Sequence, residues 1–183
     1  MNMLNQEQRT QLLRIARQSI EAALDGRRAE VDASQLDETL TRPSGAFVSL
    51  HTHDRGLRGC IGSIQPVAPL WQAIVSNAVN AAFRDPRFYP LGKDELANVE
   101  IEISVMSPIV PVTDVQEIEV GRDGLIVGRG SRVGLLLPQV ATEYGWDRET
   151  FLTQTCVKAG LPPDAWQSDD CRIEKFSAEV FSE

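Results

Sequence analysis

The residues best suited to chemistry cluster between positions 51 and 87. Cys60 lies in the stretch LRGCIGS at residues 57–63, with Gly59 on one side and Gly62 two places beyond. Glycines leave the backbone accessible, so the Gly59 and Ile61 amides could point at a ligand and hold an anion or an oxyanion. A thiol attacks as the thiolate, a form that a guanidinium such as Arg58, or a histidine, would favour; Cys60 is therefore the candidate nucleophile. The same pattern also suits a cysteine that is simply a small hydrophobe in an apolar strand. His51 and His53 are the only histidines, and on an extended segment they would share a face. They are candidates to assist Cys60, although two solvated turn residues would look the same. A metal would need Cys60, Asp54 or the carboxylates of Glu100 and Glu102 to complete the set, and none is expected. RDPR at residues 84–87 follows a predicted helix directly. Asp85 and Arg87 could line a cleft with Arg58, whose planar fork of donors suits carboxylate or phosphate. Alternatively Asp85 pairs locally and Arg87 ties two elements together.

Charge narrows the partners. The 183 residues carry a formal net charge of -8, which argues against a nucleic acid or an anionic membrane surface, since both attract a positive field. Residues 46–90 alone are net positive, with four arginines against two acids. A small anionic ligand there remains open. The three cysteines, Cys60, Cys156 and Cys171, are far apart with no CxxC, so neither a disulfide framework nor a four-cysteine zinc site is expected, and a reducing compartment fits. No signal peptide and no long apolar run is visible, which predicts a cytoplasmic protein. The glycines of residues 121–130 do not spell a dinucleotide fingerprint, and no cofactor is predicted.

The elements that must position these residues are legible in the hydrophobic periodicity. Asn5 with Gln8 three residues on suits a helix start, and Leu12, Leu13, Ala16, Ile20, Ala23 and Leu24 then share a helical face until Gly26. Residues 45–50 and 57–61 read as an antiparallel hairpin with its turn at 51–56, and Gly59 stands where a side chain would be in the way. Residues 69–83 form a broad apolar helix ended by Asp85-Pro86. Residues 99–105 alternate strictly and predict a strand with one face on the core. A linker with Pro108 and Pro111 leads to short strands at 125–127 and 133–137, closed by Pro138. Asp147 caps a further helix, stopped at Gly160, with Cys156 on its inner face. Residues 171–181 read as a last strand with a bulge. The class is α+β with mainly antiparallel sheets flanked by helices. One domain over residues 1–183 is expected, with a smaller lobe within roughly 109–140.

Taken together, PSGAFV at 43–48, LRGCIG at 57–62, AFRDPRF at 82–88, EIEISV at 100–105, GLLLPQV at 134–140 and the segment 151–166 carry a resemblance over nearly the whole chain. It resembles the family named after the Alport syndrome, midface hypoplasia and elliptocytosis chromosomal region, whose microbial members are called AmmeMemoRadiSam system protein A. The resemblance implies a two-lobed fold with an interlobe groove, and a signature falling on Leu57, Arg58, Gly59, Cys60, Ile61 and Gly62, with Asp85, Pro86 and Arg87 as a second block. The system name implies association with a Memo-like protein and a radical S-adenosylmethionine protein. Two functions follow as expectations. One is an accessory protein that binds such a partner, or a small anionic ligand, in the groove through Arg58, Gly59, Ile61, Gly62, Asp85 and Arg87. The other is a cysteine-dependent enzyme of group transfer or thiol chemistry using Cys60. Neither the existence of a reaction nor the oligomeric state is fixed by the sequence.

Overall fold

The computed structural model describes residues 4–183, which divide into two compact units. The first comprises residues up to Met106 together with Glu179–Glu183, and the second is Ser107–Ala178.

The first unit begins with helix α1 (Gln6–Leu24). Asn5 and Gln8 exchange reciprocal side chain to backbone bonds of 2.9 Å, which satisfy two amides that a helix start leaves unpaired. A short turn of helix, α2 (Glu38–Thr41), precedes strands β1 (Ala46–Thr52) and β2 (Leu57–Ser63). Helix α3 (Leu70–Phe83) and strand β3 (Val99–Met106) follow. The sheet order is β2-β1-β3, antiparallel throughout. Ala46, Val48 and Leu50 of β1 and Ile101, Ile103 and Val105 of β3 turn one face onto α1 and α3. There they bury Leu12, Ile20, Leu70 and Ile74 in one core. The strict alternation of residues 99–105 thus does what it predicts.

Close approach of α3 to the sheet depends on small residues. Ala78, Ala81 and Ala82 are buried on α3, and a Cβ at Gly59 would stand 2.2 Å from the Ala81 carbonyl oxygen. Only glycine fits at that contact.

The second unit opens with β4 (Val110–Pro111), followed by β5 (Asp123–Arg129) and β6 (Arg132–Leu136). Two helices, α4 (Pro138–Glu143) and α5 (Arg148–Lys158), precede β7 (Arg172–Ser182), whose last residues belong to the first unit. Strand β7 pairs with β4 on one side and with β5 on the other, and β5 pairs with β6, all antiparallel. Gly130, at φ 59, makes the tight β5–β6 turn. The core gathers Leu125 and Val127 of β5 with Phe151, Leu152 and Cys156 of α5.

The antiparallel α+β class is therefore what the chain adopts, with two local corrections. Pro138 does more than close a strand: its fixed φ suits the first helical position, and it starts α4. The bulge expected in the last strand is absent where β7 pairs with β5, since Arg172 to Ser177 run in unbroken register. The irregularity sits instead between Leu50 and His51 in the β1–β2 pair.

Candidate functional site

Within its sheet β2 is the outermost strand. An outer strand leaves every second N–H and C=O without a ladder partner. At Cys60 both are satisfied by the segment that follows α3. The Cys60 amide donates to Asp85 Oδ2 at 2.9 Å, and Arg87 Nη2 donates to the Cys60 carbonyl at 3.3 Å. Asp85 also accepts from the Arg87 amide at 3.1 Å, from Nε at 2.9 Å and from Nη2 at 2.7 Å. Its side chain is 1% exposed while that of Arg87 is 54% exposed, so a buried carboxylate holds a half-exposed guanidinium. The Arg87 side chain, followed by the Cys60 and Arg87 amides, keeps the Asp85 carboxyl well below the usual carboxylate range despite its burial. Asp85 in turn raises Arg87, with a smaller electrostatic contribution from Cys60. Asp85 therefore pairs locally and Arg87 ties two elements together.

The alternation of an antiparallel ladder fixes the neighbours. Since the backbone of Cys60 faces away from β1, that of Gly59 and Ile61 faces toward it. The Gly59 and Ile61 amides are therefore spent on the ladder and do not point at a ligand, and the outward amide of Cys60 is occupied by Asp85. Gly62 lies opposite Phe47, where a Cβ would meet the Phe47 ring and the Ala46 carbonyl at 2.4 Å. Its role is close packing.

The Cys60 side chain belongs to the sheet face turned away from the core. Cys60 pairs with Ser49, and Ser49 with Glu102, in one row across the three strands. The Ser49 hydroxyl donates to Cys60 Sγ at 3.2 Å, and the thiol is half-buried. His51 lies two residues along β1 on the same face. Its Nε2 is 3.6 Å from Glu102 Oε1, too far for a hydrogen bond, and is buried without a partner among the described residues. His53 is not beside it, because β1 ends at Thr52 and His53 is exposed in the turn that Arg55 closes at φ 63. Ser49 and Glu102 thus join the site. Period two along β1 would have put Ser49 with His51, but the bulge hides which residue of β2 faces it.

Arg58 is committed elsewhere. Its Nε and Nη2 donate to the two oxygens of Glu95, at 2.9 and 3.1 Å, and the Gly92 amide adds a bond of 2.8 Å to the same carboxylate. Arg58 and then the Gly92 amide draw the Glu95 carboxyl down. Both guanidiniums nevertheless approach one aromatic ring: Arg58 stands 5.9 Å and Arg87 5.5 Å from the Phe88 centroid. The structure brings together Arg58, Cys60, Asp85 and Arg87 with Phe88. Each arginine already has its own carboxylate, so the local charge is close to neutral, while Nη1 of Arg58 is buried without a hydrogen-bond partner among the described residues. Among the described residues no three His, Cys, Asp or Glu side chains are placed to hold a metal, and no helix is long and apolar enough to cross a membrane.

The sequence model of the AMMECR1 family matches residues 13–181. The chain belongs to the AMMECR1 family. It is 45% identical over 181 residues to protein PF1979 of Pyrococcus furiosus, covering 94% of this chain and 86% of that protein. It is 43% identical to protein NEQ441 of Nanoarchaeum equitans over 94% of this chain and 98% of that one. The crystal structure of the uncharacterized protein PH0010 from Pyrococcus horikoshii is similar with a TM-score of 0.81 and 42% identity, over 98% of this chain and 93% of the other. This AMMECR1 chain presents on its first sheet a thiol with a hydroxyl donor, a guanidinium fixed beside it by a buried carboxylate, and an aromatic ring. That set can grip a polar or anionic group through Nη1 of Arg87, the guanidinium nitrogen that Asp85 and the Cys60 carbonyl leave over, and it can expose a thiol to whatever is gripped.

Proposed function

We propose that the protein is an accessory component of a Memo-like and radical S-adenosylmethionine system, and that it holds a partner protein, or a small anionic ligand, against the face of the first sheet that carries Cys60. The observation that carries this reading is Arg87. It is half-exposed, yet fixed by the buried Asp85 and by the Cys60 carbonyl beside the thiol. A guanidinium held in place loses little freedom on binding, which is what a recognition residue needs. A groove beside Cys60, as the family resemblance implies, would receive the bound group. The reading places the protein in the cytoplasm, where its three free thiols stay reduced.

A second reading, a thiol enzyme of group transfer, is favoured by one observation, the Ser49 hydroxyl donating to Cys60 Sγ. In that case Cys60 is the nucleophile and Arg87 holds the anionic part of the substrate.

Calorimetric titration of the full chain with the Memo-like protein and the radical S-adenosylmethionine protein of the same genome separates the two. The accessory reading expects Arg87→Ala to weaken binding about tenfold or more, as at an arginine hot spot, while Cys60→Ser binds as the wild type does. Undiminished binding by Arg87→Ala to both proteins would refute it. A covalent adduct on Cys60, with function abolished in Cys60→Ser, would establish the enzyme.

A further inference from the structure

The second unit brings the other two thiols of the chain to one place. Cys156 of α5 is fully buried in a small core with Val127, Ala159, Leu161 and Ala165. Cys171, half-buried just ahead of β7, packs against that same core. Between them Gly160, at φ 71, and Pro162-Pro163 turn the chain back on itself. Both thiols therefore border one small core. Burial pushes the Cys171 thiol up, and Arg129, with Cys156 a smaller influence, offsets part of that rise. Burial also pushes Cys156 up, with Cys171 among the neighbours that influence it.

Two further groups border the same core. Arg129 offsets part of the rise in both thiols, which stay above their ordinary value, and it is anchored to Asp170 at 2.9 Å. Its Nε is buried without a hydrogen-bond partner among the described residues, and so is the indole nitrogen of Trp166, which packs on this core. Arg129 Nη2 also donates to the Ala165 carbonyl at 3.4 Å, which fixes the guanidinium at the edge of the core that holds both thiols. A cation there stabilises a developing thiolate.

We propose that Cys156 and Cys171 form a redox pair that closes into an intramolecular disulfide when the protein meets hydrogen peroxide. Cys171, the more accessible thiol, attacks an oxygen of the peroxide as the thiolate. The O–O bond breaks, and Cys171 becomes a sulfenic acid while the departing oxygen leaves as water after taking a proton. The Cys156 sulfur then attacks the Cys171 sulfur, the S–O bond breaks, and hydroxide leaves as a second water with the proton that Cys156 gives up. Two thiols and one hydrogen peroxide become one disulfide and two waters, with the protein oxidised by two electrons and the peroxide reduced. The product would lock the segment between α5 and β7. It uses no residue of the Cys60 face, so either proposal can fail without the other.

The test is peptide mapping of the whole, native, reduced protein after treatment with hydrogen peroxide, with alkylation under denaturing conditions before digestion. The expected result is a peptide joining Cys156 to Cys171, two hydrogens lighter than its separate halves, in protein that stays monomeric on a nonreducing gel. Cys156→Ser should lose that peptide and leave a sulfenic acid on Cys171 that dimedone traps. Recovery of both cysteines as alkylated thiols would overturn the proposal. So would a linkage formed only between two chains, or oxidation confined to Cys60.

Discussion

Replacing Asp85 by asparagine keeps the size of the side chain, removes its charge and turns one acceptor into a donor. The carboxylate accepts four bonds, from the Cys60 amide, the Arg87 amide and two Arg87 side-chain nitrogens, at 2.7 to 3.1 Å. Whichever way the new amide is turned, its NH2 group faces at least one of those donors. A buried donor left unpaired costs about 1–3 kcal/mol, and a charge-assisted bond reduced to a neutral one adds about 1 kcal/mol. Arg87, being half-exposed, recovers part of this by turning to water. The expected loss for Asp85→Asn is about 2–3 kcal/mol, which for a chain of this size lowers Tm by roughly 4–12 °C. Denaturant unfolding and thermal melts measure it, and hydrogen exchange at the Cys60 amide reports the lost bond directly. The pH dependence has a fixed sign. Arg87 holds Asp85 below its ordinary value of 3.8, so its stabilisation is complete above the value of the unfolded chain and is lost as the pH falls below it. The gap between wild type and variant should be constant from about pH 5 to about pH 8 and narrow below about pH 4. A gap under about 0.5 kcal/mol at neutral pH, with Cys60 exchange unchanged, would refute the claim that Asp85 secures the outer edge of the sheet.

Three other outcomes follow. Gly59→Ala would push a Cβ to 2.2 Å from the Ala81 carbonyl oxygen, and as that is backbone the expected destabilisation is about 3 kcal/mol; a neutral result in denaturant unfolding would mean that α3 does not lie against β2. Asn5→Ala removes the reciprocal cap of α1 and should cost about 1 kcal/mol, and a midpoint equal to that of the wild type would show that the cap adds nothing. In native protein iodoacetamide should modify the half-buried Cys60 well before the fully buried Cys156; the reverse order by mass mapping would contradict the placement of Cys60 on an accessible face.

What could be read from the sequence was what depends on neighbours along the chain. The helix start at Asn5 and Gln8, the alternation of β3 and the apolar stripe of α3 each express one local rule, and each element is present. Gly59 was legible because a glycine inside a strand signals close approach of another backbone. Other features depend on contacts that no spacing reveals. Arg58 finds Glu95, which lies 37 positions away in a segment without periodic pattern. The bulge between Leu50 and His51 shifts the hairpin register, so the facing of Ser49 and Cys60 could not be counted from the turn. His51 and His53 would share a face only on an extended segment; the strand runs on to Thr52, past the residue 50 expected from the sequence, but stops before His53. Pro138 in the sequence signals the end of a strand, yet the same fixed φ begins a helix. Asp85 sat beside Arg87 in the sequence, but its bond to the Cys60 amide required the fold.

Hydrogen–deuterium exchange of the full chain, with and without the Memo-like or the radical S-adenosylmethionine protein bound, tests most directly where the working surface lies. Binding should slow exchange in residues 57–63 and 85–89. Protection confined to residues 107–178, with both of those segments exchanging as in the free protein, would contradict that expectation.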